Sequence, residues 1–193
     1  MGERTDMLSA AYPPKLTYQD FLRFPDDGRR HELIDGAHYV SPSPATRHQR
    51  LSWRLSQALG RYLDAHPVGE AFHAPYDVVL SMFDVVEPDL LVVLREQSDL
   101  ITDQHVRGAP ALVVEILSAT TRQTDEGAKL RLYERSGVRE YWLVDPECDQ
   151  VEIHRRSTTG SFQRRAVLMG ARQEVLRSSL LPEFALPLEE FFR

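Results

Sequence analysis

Between Pro110 and Ser118 the chain is apolar at every position except one, which is Glu115. An apolar run of this length, with turn-forming residues on both sides, predicts a strand that is buried on both faces. An ionised carboxylate inside such a strand costs several kcal/mol unless a cation or hydrogen bonds compensate its charge. The pattern therefore predicts that another part of the chain supplies Glu115 with a partner.

Two kinds of partner are available in the sequence. Pro88-Asp89 opens the preceding apolar run, so Asp89 is a second carboxylate that could share a metal ion with Glu115. Lys129 lies on the next predicted helix and could supply an ammonium group instead. Only Lys15 and Lys129 are lysines among 23 cationic residues, so position 129 stands out as one where a compact, titratable charge replaces the usual arginine.

Helical periodicity is clearest in residues 45–65, where leucines, alanine and tyrosine share one apolar stripe. A capping-box pattern at Thr17–Asp20 predicts a short helix that ends near Phe24. A third helix is predicted from Thr121 or Thr124 to about Ser136, with Gly137 as the residue that ends it. A short amphipathic segment is expected at 186–192.

Alternating and apolar runs predict the strands, and turn residues separate them. Asp35-Gly36 predicts a tight hairpin turn. The predicted strands are 30–34, 37–40, 76–81, 85–94, 111–117, 140–144, 151–156 and 161–168. This order predicts an α/β (α+β) domain with a central mixed β-sheet flanked by helices. Strand 111–117, helix 122–136 and strand 140–144 are expected to form a right-handed crossover between parallel strands.

Composition narrows the class of protein. The chain has 193 residues, 42% of them hydrophobic, which predicts one domain over residues 15–193 after a loose segment, 1–14. A net charge of −6 argues against a generally basic nucleic-acid binder, and one cysteine excludes a disulfide framework or a cysteine-based zinc site. The sequence shows no signal peptide and no apolar stretch of about 20 residues, so a cytoplasmic protein is expected.

The pairing of Asp89 with Glu115 has chemical consequences if their strands are neighbours. Two hard carboxylate oxygens at one point are ligands that Mg²⁺ or Mn²⁺ prefers, and the backbone carbonyl of Ile116 could add a third. A metal ion held there can acidify a bound water and neutralise charge on a phosphodiester. Lys129 could orient that water or stabilise the developing charge.

These features resemble the PD-(D/E)XK nuclease superfamily, whose acidic skeleton matches Pro88-Asp89 followed by Glu115-Ile116-Leu117. More narrowly, the chain resembles a large bacterial family of restriction-endonuclease-like proteins over roughly residues 15–190. The matching segments are 31–36, 41–42, 47–49, 74–78, 86–90, 114–118, 125–129 and 137–146. The superfamily pattern places lysine two residues after the glutamate, whereas this chain has Leu117 there.

The resemblance implies that the lysine has moved to the next helix, where Lys129 matches it, and that Glu32 is an extra acidic residue that ligates a metal or holds Lys129. It also implies a restriction-endonuclease-like core, Mg²⁺ (or Mn²⁺) as cofactor and DNA as the substrate. A DNA endonuclease with Asp89, Glu115, Lys129 and Glu32 at its site is therefore the leading hypothesis. Cleavage of two strands needs two sites, which is compatible with a homodimer.

Two further features concern the helix at 45–65. Arg47, Arg50, Arg54 and Arg61 fall on one narrow arc, which is either a solvated face or a track for a phosphate backbone. His48 lies near the apolar stripe and is either a hydrogen-bonded core residue or a group close to the phosphate.

Two other classes of function stay open. The acidic charge and Leu117 favour an interaction module for nucleic acid or protein that keeps the nuclease fold with little catalysis. Alternatively, Glu115 belongs to a structural ion-pair cluster in an unrelated α/β protein. Separately, the four-residue spacing of Asp125 and Lys129 could be an ordinary i,i+4 pair on the surface of a helix.

Overall fold

The computed structural model describes residues 14–193, and it contains two main sheets, one of six strands and one of five. The helices are α1 Tyr18–Phe21, α2 Thr46–Ala65, α3 Leu130–Ser136 and α4 Leu188–Phe192. The strands are β1 Arg30–Ile34, β2 Ala37–Ser41, β3 Gly69–His73, β4 Val78–Ser81, β5 Asp84–Val86, β6 Leu90–Leu94, β7 Val106–Arg107, β8 Leu112–Ile116, β9 Glu140–Asp145, β10 Gln150–Arg156, β11 Phe162–Met169, β12 Val175–Leu176 and β13 Leu186–Pro187.

The six-stranded sheet has the order β11-β10-β9-β8-β6-β3 and is mixed. Strands β8 and β9 run parallel, whereas every other neighbouring pair in this sheet is antiparallel. The chain connects β8 to β9 through α3, as a parallel pair requires. The prediction of a central mixed sheet flanked by helices is confirmed.

Strand β8 is buried along its whole length because both faces of the central sheet are covered. On one face Val114 and Ile116 pack in a cluster with leucines of α2 and aromatic residues of α4. On the other face Val113 packs with Leu132 and Tyr133 of the α3 region and with residues of the second sheet. The near-continuous apolar sequence of this strand follows from that double coverage.

The second sheet has the order β2-β1-β5-β4-β7 and contributes to the same cluster as α3. Its hairpin β1–β2 turns at Asp35 and Gly36, whose φ angles of 53° and 75° fit the predicted tight turn. A Cβ on Gly36 would lie 2.5 Å from Cβ of Lys15, so this position requires glycine for space as well as conformation.

The prediction of one strand over 85–94 is wrong, because the chain leaves one sheet and enters the other within that segment. Strand β5 pairs with β1 and β4 in the five-stranded sheet, and β6 pairs with β3 and β8 in the central sheet. The break falls at Glu87-Pro88-Asp89, where proline cannot donate a ladder hydrogen bond. The break places Asp89 directly before β6.

Other local predictions are met with small differences. Thr17 and Asp20 form the predicted capping box, although α1 ends at Phe21 rather than near Phe24. The third helix begins with a π-helical segment, Thr124–Lys129, before α3, and Gly137 ends it with φ of 99°. Strand β3 and the two-residue β7 were not predicted.

Of the predicted loose segment, residues 1–13 lie outside the described residues, and the single-domain assignment of 15–193 stays a prediction. In the part of the chain that the structure describes, no helix is long and apolar enough to cross a membrane.

Candidate active site

Asp89 and Glu115 meet at the junction of β6 and β8. The antiparallel register pairs Leu90 with Val114, so the next position brings Asp89 opposite Glu115. Oδ2 of Asp89 accepts the backbone N–H of Ile116 at 2.8 Å, which fixes its carboxylate against the end of β8. The structure therefore brings together the two acidic residues that the sequence singles out, and places the Ile116 backbone beside them.

Glu115 is 2% exposed and takes two hydrogen bonds on the same oxygen. Nζ of Lys129 donates to its Oε1 at 2.9 Å, and the Tyr133 hydroxyl donates to Oε1 at 2.7 Å. Both partners arrive from the helical crossover between β8 and β9. Buried Glu115 thus has the ammonium partner that the sequence predicted for it. It also has a phenol partner, Tyr133, that the sequence analysis did not identify.

Lys129 is 3% exposed and stands among three carboxylates. Its Nζ lies 2.9 Å from Oε1 of Glu115, 2.9 Å from Oε1 of Glu32 and 3.5 Å from Oδ1 of Asp125. Asp125 and Lys129 share the π-helical segment, and turns of this kind are frequent at functional sites. An exposed surface pair, the alternative open from sequence, is wrong for Lys129 and Asp125 because both are buried.

Glu32 enters this cluster from β1 in the second sheet. Its Oε1 also accepts the backbone N–H of Glu87 at 2.9 Å, so the same carboxylate joins the strand break to Lys129. Glu32 is buried, so it is not a plain surface charge.

Arg30 is a member of the cluster that sequence reasoning missed. It precedes Glu32 by two positions on β1, so both side chains leave the same face of the strand. Its Nε lies 3.0 Å from Oε1 of Glu87, and its Nη1 lies 3.0 Å from Oδ1 of Asp89. The alternation of charges in Arg30-His31-Glu32 was a signal that could have placed it beside Glu32.

His48, near the N-terminal end of α2, is the second positively ionisable partner of Asp89. Its Nε2 lies 3.0 Å from Oδ2 of Asp89, while its buried Nδ1 has no hydrogen-bond partner within the described residues. His48 therefore contacts the acidic centre instead of serving only as a core residue. The second ring nitrogen is unused by residues 14–193.

Charge and burial act in opposite directions on the two central acids. Burial opposes ionisation of Asp89, but hydrogen bonds from His48 and Ile116 and the charge of Arg30 outweigh it and hold its pKa at about 2. Burial raises the pKa of Glu115 to about 8 despite Lys129, because Asp125, Asp89 and Glu32 add negative charge. Asp89 is therefore ionised near neutral pH, and Glu115 readily holds a proton.

The other carboxyl groups of the cluster also outnumber the cationic groups near them. Burial raises the pKa of Glu87 to about 7 and that of Asp125 to about 6, while neighbouring carboxylates raise the pKa of buried Lys129 well above its usual value. Five carboxyl groups face the charges of Arg30 and Lys129. One ammonium cannot compensate three carboxylates, so an added cation would be favoured here.

The oxygen donors at this centre are of the chemical type that a hard divalent ion prefers. Asp89 and Glu115 provide carboxylate oxygens at one point, the Ile116 carbonyl is adjacent, and Oδ1 of buried Asp125 lacks a hydrogen bond among the described residues. Within residues 14–193, however, no three His, Cys, Asp or Glu side chains stand ready in a metal-binding arrangement. Arg30 and Lys129 hold the carboxylates instead, so these cations would have to share them with a bound ion.

Two clefts that share several lining residues lead to this centre. A cavity of about 280 Å³ borders Asp89, Glu115, Ile116 and Lys129, and one of about 420 Å³ borders Arg29, Gln49 and Ser52. Both are lined by Arg30, His48, Asp89 and the segment 42–44. The acidic centre is thus accessible from a surface cleft that carries arginine side chains.

The predicted arginine arc on α2 divides into two pairs. Arg47 binds the Pro146 carbonyl and the Asp149 carboxylate, and Arg54 donates to the Phe191 carbonyl at 2.8 Å. Both therefore fasten other parts of the chain to α2. Arg50 and Arg61 are exposed. A phosphate track along this arc stays a prediction, and these two residues are the ones available for it.

Comparison with known proteins identifies the family. Residues 18–189 match the family model Uma2, which is described as "Putative restriction endonuclease". The chain belongs to this family. The Uma2 match spans every residue of the acidic cluster, from Arg30 to Lys129, and it confirms the resemblance seen in the sequence.

Two relatives extend this result. A crystal structure from Anabaena variabilis, described as a "putative nuclease belonging to DUF820", has a TM-score of 0.77 and 20% identity, covering 92% of this chain and 97% of that one. This likeness shows that the two share a fold. "Uncharacterized protein slr1290" of Synechocystis sp. is 27% identical over 158 residues, which is 77% of this chain and 78% of that protein.

Proposed function

We propose that this chain is a metal-dependent nuclease that hydrolyses phosphodiester bonds, with DNA as its substrate. The observation that carries the proposal is the meeting of Asp89 and Glu115 across β6 and β8 with Lys129 2.9 Å from Glu115. Membership of a family with an endonuclease description supports the reaction class. Proteins of this kind typically use divalent metal ions.

Asp89, Glu115 and the backbone carbonyl of Ile116 are the groups that would hold Mg²⁺ or Mn²⁺. When bound, such an ion supplies charge neutralisation at the phosphodiester and acidifies a water molecule. Asp89 suits this role because its pKa of about 2 keeps it ionised, and Arg30 and His48 fix its orientation. Glu115 would release the proton that its raised pKa favours when a cation binds.

Lys129 is the residue that assists the attacking water. Its ammonium is fixed by Glu32, Glu115 and Asp125, so it can stabilise charge that develops on the phosphate without reorganising. Glu32 acts through Lys129 and through the Glu87 backbone, and it is therefore a positioning residue. The clefts bordered by Arg29, Arg30 and His48 provide the approach for a polyanion.

A plasmid-nicking assay with Mg²⁺ or Mn²⁺ tests the proposal. The parent protein is expected to nick supercoiled DNA, whereas Asp89→Asn and Lys129→Met are expected to lose the activity. Lys15→Met is the matched control, since Lys15 is the other lysine and forms an exposed pair with Asp35. Nicking that survives both Asp89→Asn and Lys129→Met would rule out this site.

A second candidate is an interaction module that binds nucleic acid or protein without hydrolysis. The specific observation in its favour is that Arg30 already pairs with Asp89 and Lys129 with Glu115, while no three His, Cys, Asp or Glu side chains of residues 14–193 stand in a metal-binding arrangement. Such a module would bind its partner equally well with or without divalent ions. Retention of labelled DNA by Asp89→Asn, with no metal dependence and no nicking by the parent, would favour it.

The structural ion-pair alternative makes a different prediction for Glu115. If the cluster only stabilises the fold, Glu115→Ala leaves the buried ammonium of Lys129 with fewer partners and unfolds the chain. The isosteric Glu115→Gln separates the two roles, because its side chain can still accept from Lys129 and Tyr133. Circular dichroism and nicking on this variant show whether fold or activity is lost.

A further inference from the structure

The exposed tryptophan of α2, Trp53, directly follows a residue that lines the larger cleft, and packing does not explain its exposure. Trp53 is 65% exposed, whereas the chain's other tryptophan, Trp142, is completely buried. Large aromatic side chains usually bury much of their surface, so one left open at the rim of a cleft is a candidate binding group. Trp53 follows Ser52, which lines that cleft, and is one turn beyond Gln49, which also lines it.

Helical geometry gives the order of side chains around α2. At about 100° per residue, His48 and Ser52 face the cleft, Gln49 and Trp53 follow within about 40° of each other, and Arg50 comes next. Trp53 therefore stands between the cleft that leads to Asp89 and the exposed arginines, Arg50 and Arg61. A polyanion that leaves the cleft along this path would cross the indole before it reaches Arg50.

The chemistry of that path points to one class of ligand. Arginine side chains hold phosphates, while an open indole offers a face on which a nucleobase can stack. Stacking on a side chain requires a base whose own face is free, and in a duplex the neighbouring base pairs occupy it. A cleft of about 420 Å³ is within the range that accommodates small ligands and single nucleotide-sized groups.

We infer that Trp53 stacks on an unpaired nucleobase next to the scissile phosphate, so that the substrate is unpaired DNA: a single strand, a frayed or flapped end, or an unpaired stretch of a negatively supercoiled plasmid. This inference rests on the proposed nuclease function and narrows its substrate. The phosphate of that nucleotide enters the cleft beside Arg29 and Arg30, and the strand continues over Arg50.

Fluorescence anisotropy with a short labelled single strand and a blunt duplex of the same sequence tests the inference. Ca²⁺ replaces Mg²⁺ so that binding is measured apart from cleavage. Trp53→Ala is expected to weaken single-strand binding by about tenfold or more and to change duplex binding less than about twofold. Trp53→Phe is expected to keep most of the affinity, and Arg50→Gln to weaken both ligands alike.

Met82→Ala is the matched control, because Met82 is 60% exposed in the β4–β5 turn and lines neither cleft. Tryptophan emission gives an independent readout. The single strand is expected to quench Trp53 in the parent, while Trp53→Phe, which keeps only buried Trp142, is expected to show no quenching. Thermal unfolding of Trp53→Ala within about 2 °C of the parent would show that the fold is intact.

The outcomes separate this inference from the proposed function. If Trp53→Ala leaves the affinity for the single strand unchanged, or if the parent binds the duplex more tightly than the single strand, the inference is overturned. The nuclease proposal still stands in either case. Failure to bind either DNA, together with absence of nicking, overturns both. A dimer in sedimentation analysis that Trp53→Ala converts to monomer also overturns it, since a second copy of the chain would then cover the indole.

Discussion

Two buried glutamates lie on neighbouring parallel strands, and their surroundings differ. Glu140 of β9 accepts from Trp142 at 2.7 Å, from Arg155 at 3.0 Å and from the Ser179 hydroxyl at 3.0 Å. One guanidinium and neutral donors compensate this single carboxylate. Glu115 of β8 instead shares one ammonium with two other carboxylates.

The difference between these two sites is the one expected between an acid that serves the fold and an acid of the proposed nuclease site. A buried carboxylate that serves the fold receives enough donors to be satisfied, as Glu140 does. The Glu115 cluster collects more negative charge than its cations offset, which costs stability and would favour an added cation. Such an arrangement is typical of sites where the protein performs chemistry.

The largest expected effect comes from the cation of the Glu115 cluster. Lys129→Met leaves three buried carboxyl groups without their shared ammonium, so nicking is expected to fall by at least about 100-fold. The free energy of unfolding is expected to fall by about 3 kcal/mol near pH 8 and by less near pH 5, where Glu115 and Asp125 hold protons. Denaturant unfolding at the two pH values, with Lys15→Met as control, measures this. An equal loss at both values would contradict the charge argument.

The next prediction is that neutralising Glu140 lowers stability and neutralising Glu115 lowers activity. Glu140→Gln removes the charge that Arg155 requires and is expected to cost about 1–3 kcal/mol of stability while nicking stays within about threefold. Glu115→Gln is expected to change stability by less than about 1 kcal/mol, because burial already favours a neutral group, and to abolish nicking. Thermal unfolding and nicking on both variants test the reversal, and equal effects would contradict it.

The stability of the parent protein should also depend on pH through Glu115. Its pKa rises from about 4.5 in the unfolded chain to about 8 in the folded one, so the folded state binds the extra proton between these values. This contribution is present below the lower pKa and is lost as pH rises through the upper one. From pH 6 to pH 8 we expect a loss on the order of 1–2 kcal/mol that Glu115→Gln removes. A pH-independent difference between the two proteins would exclude the shift.

The smallest effect concerns Arg30, which pairs with Asp89 and Glu87. Arg30→Gln is expected to reduce nicking by about tenfold and to move the acidic limb of the pH–rate profile to higher pH. The reason is that burial opposes ionisation of Asp89, and loss of the guanidinium charge raises its pKa. Arg155→Gln, which removes the corresponding partner of Glu140, is the matched control and should leave the profile in place.

Part of this site could be identified from local sequence, and the rest depends on pairing between distant segments. Glu115 was identifiable because a charge in an apolar run needs a partner. Lys129 was a candidate because it is one of only two lysines and follows Glu115 on the next helix, and the resemblance supported it, whereas Glu32 came from the resemblance alone. Arg30 was missed because its partners lie more than 50 positions away, and residue spacing gives no information on which strands meet.

The elements of the fold also fall into those that local sequence predicts and those that it does not. Hairpin β1–β2, helix α2 and strand β8 follow from turn residues and periodicity. The exchange between sheets at Glu87-Pro88-Asp89 was not predicted, because both flanking segments are apolar and only tertiary pairing separates them. That missed break is what positions Asp89, so the least predictable point of the chain is also one that the site requires.

Calorimetric titration with Mn²⁺ tests most directly whether Asp89 and Glu115 form a divalent-ion site. The parent is expected to show saturable binding accompanied by proton release, since Glu115 loses its proton when a cation binds. Glu140→Gln is expected to retain this binding, and Glu115→Gln to lose it while staying folded. Saturable binding that is unchanged in Glu115→Gln, or absent from the folded parent, would contradict the account.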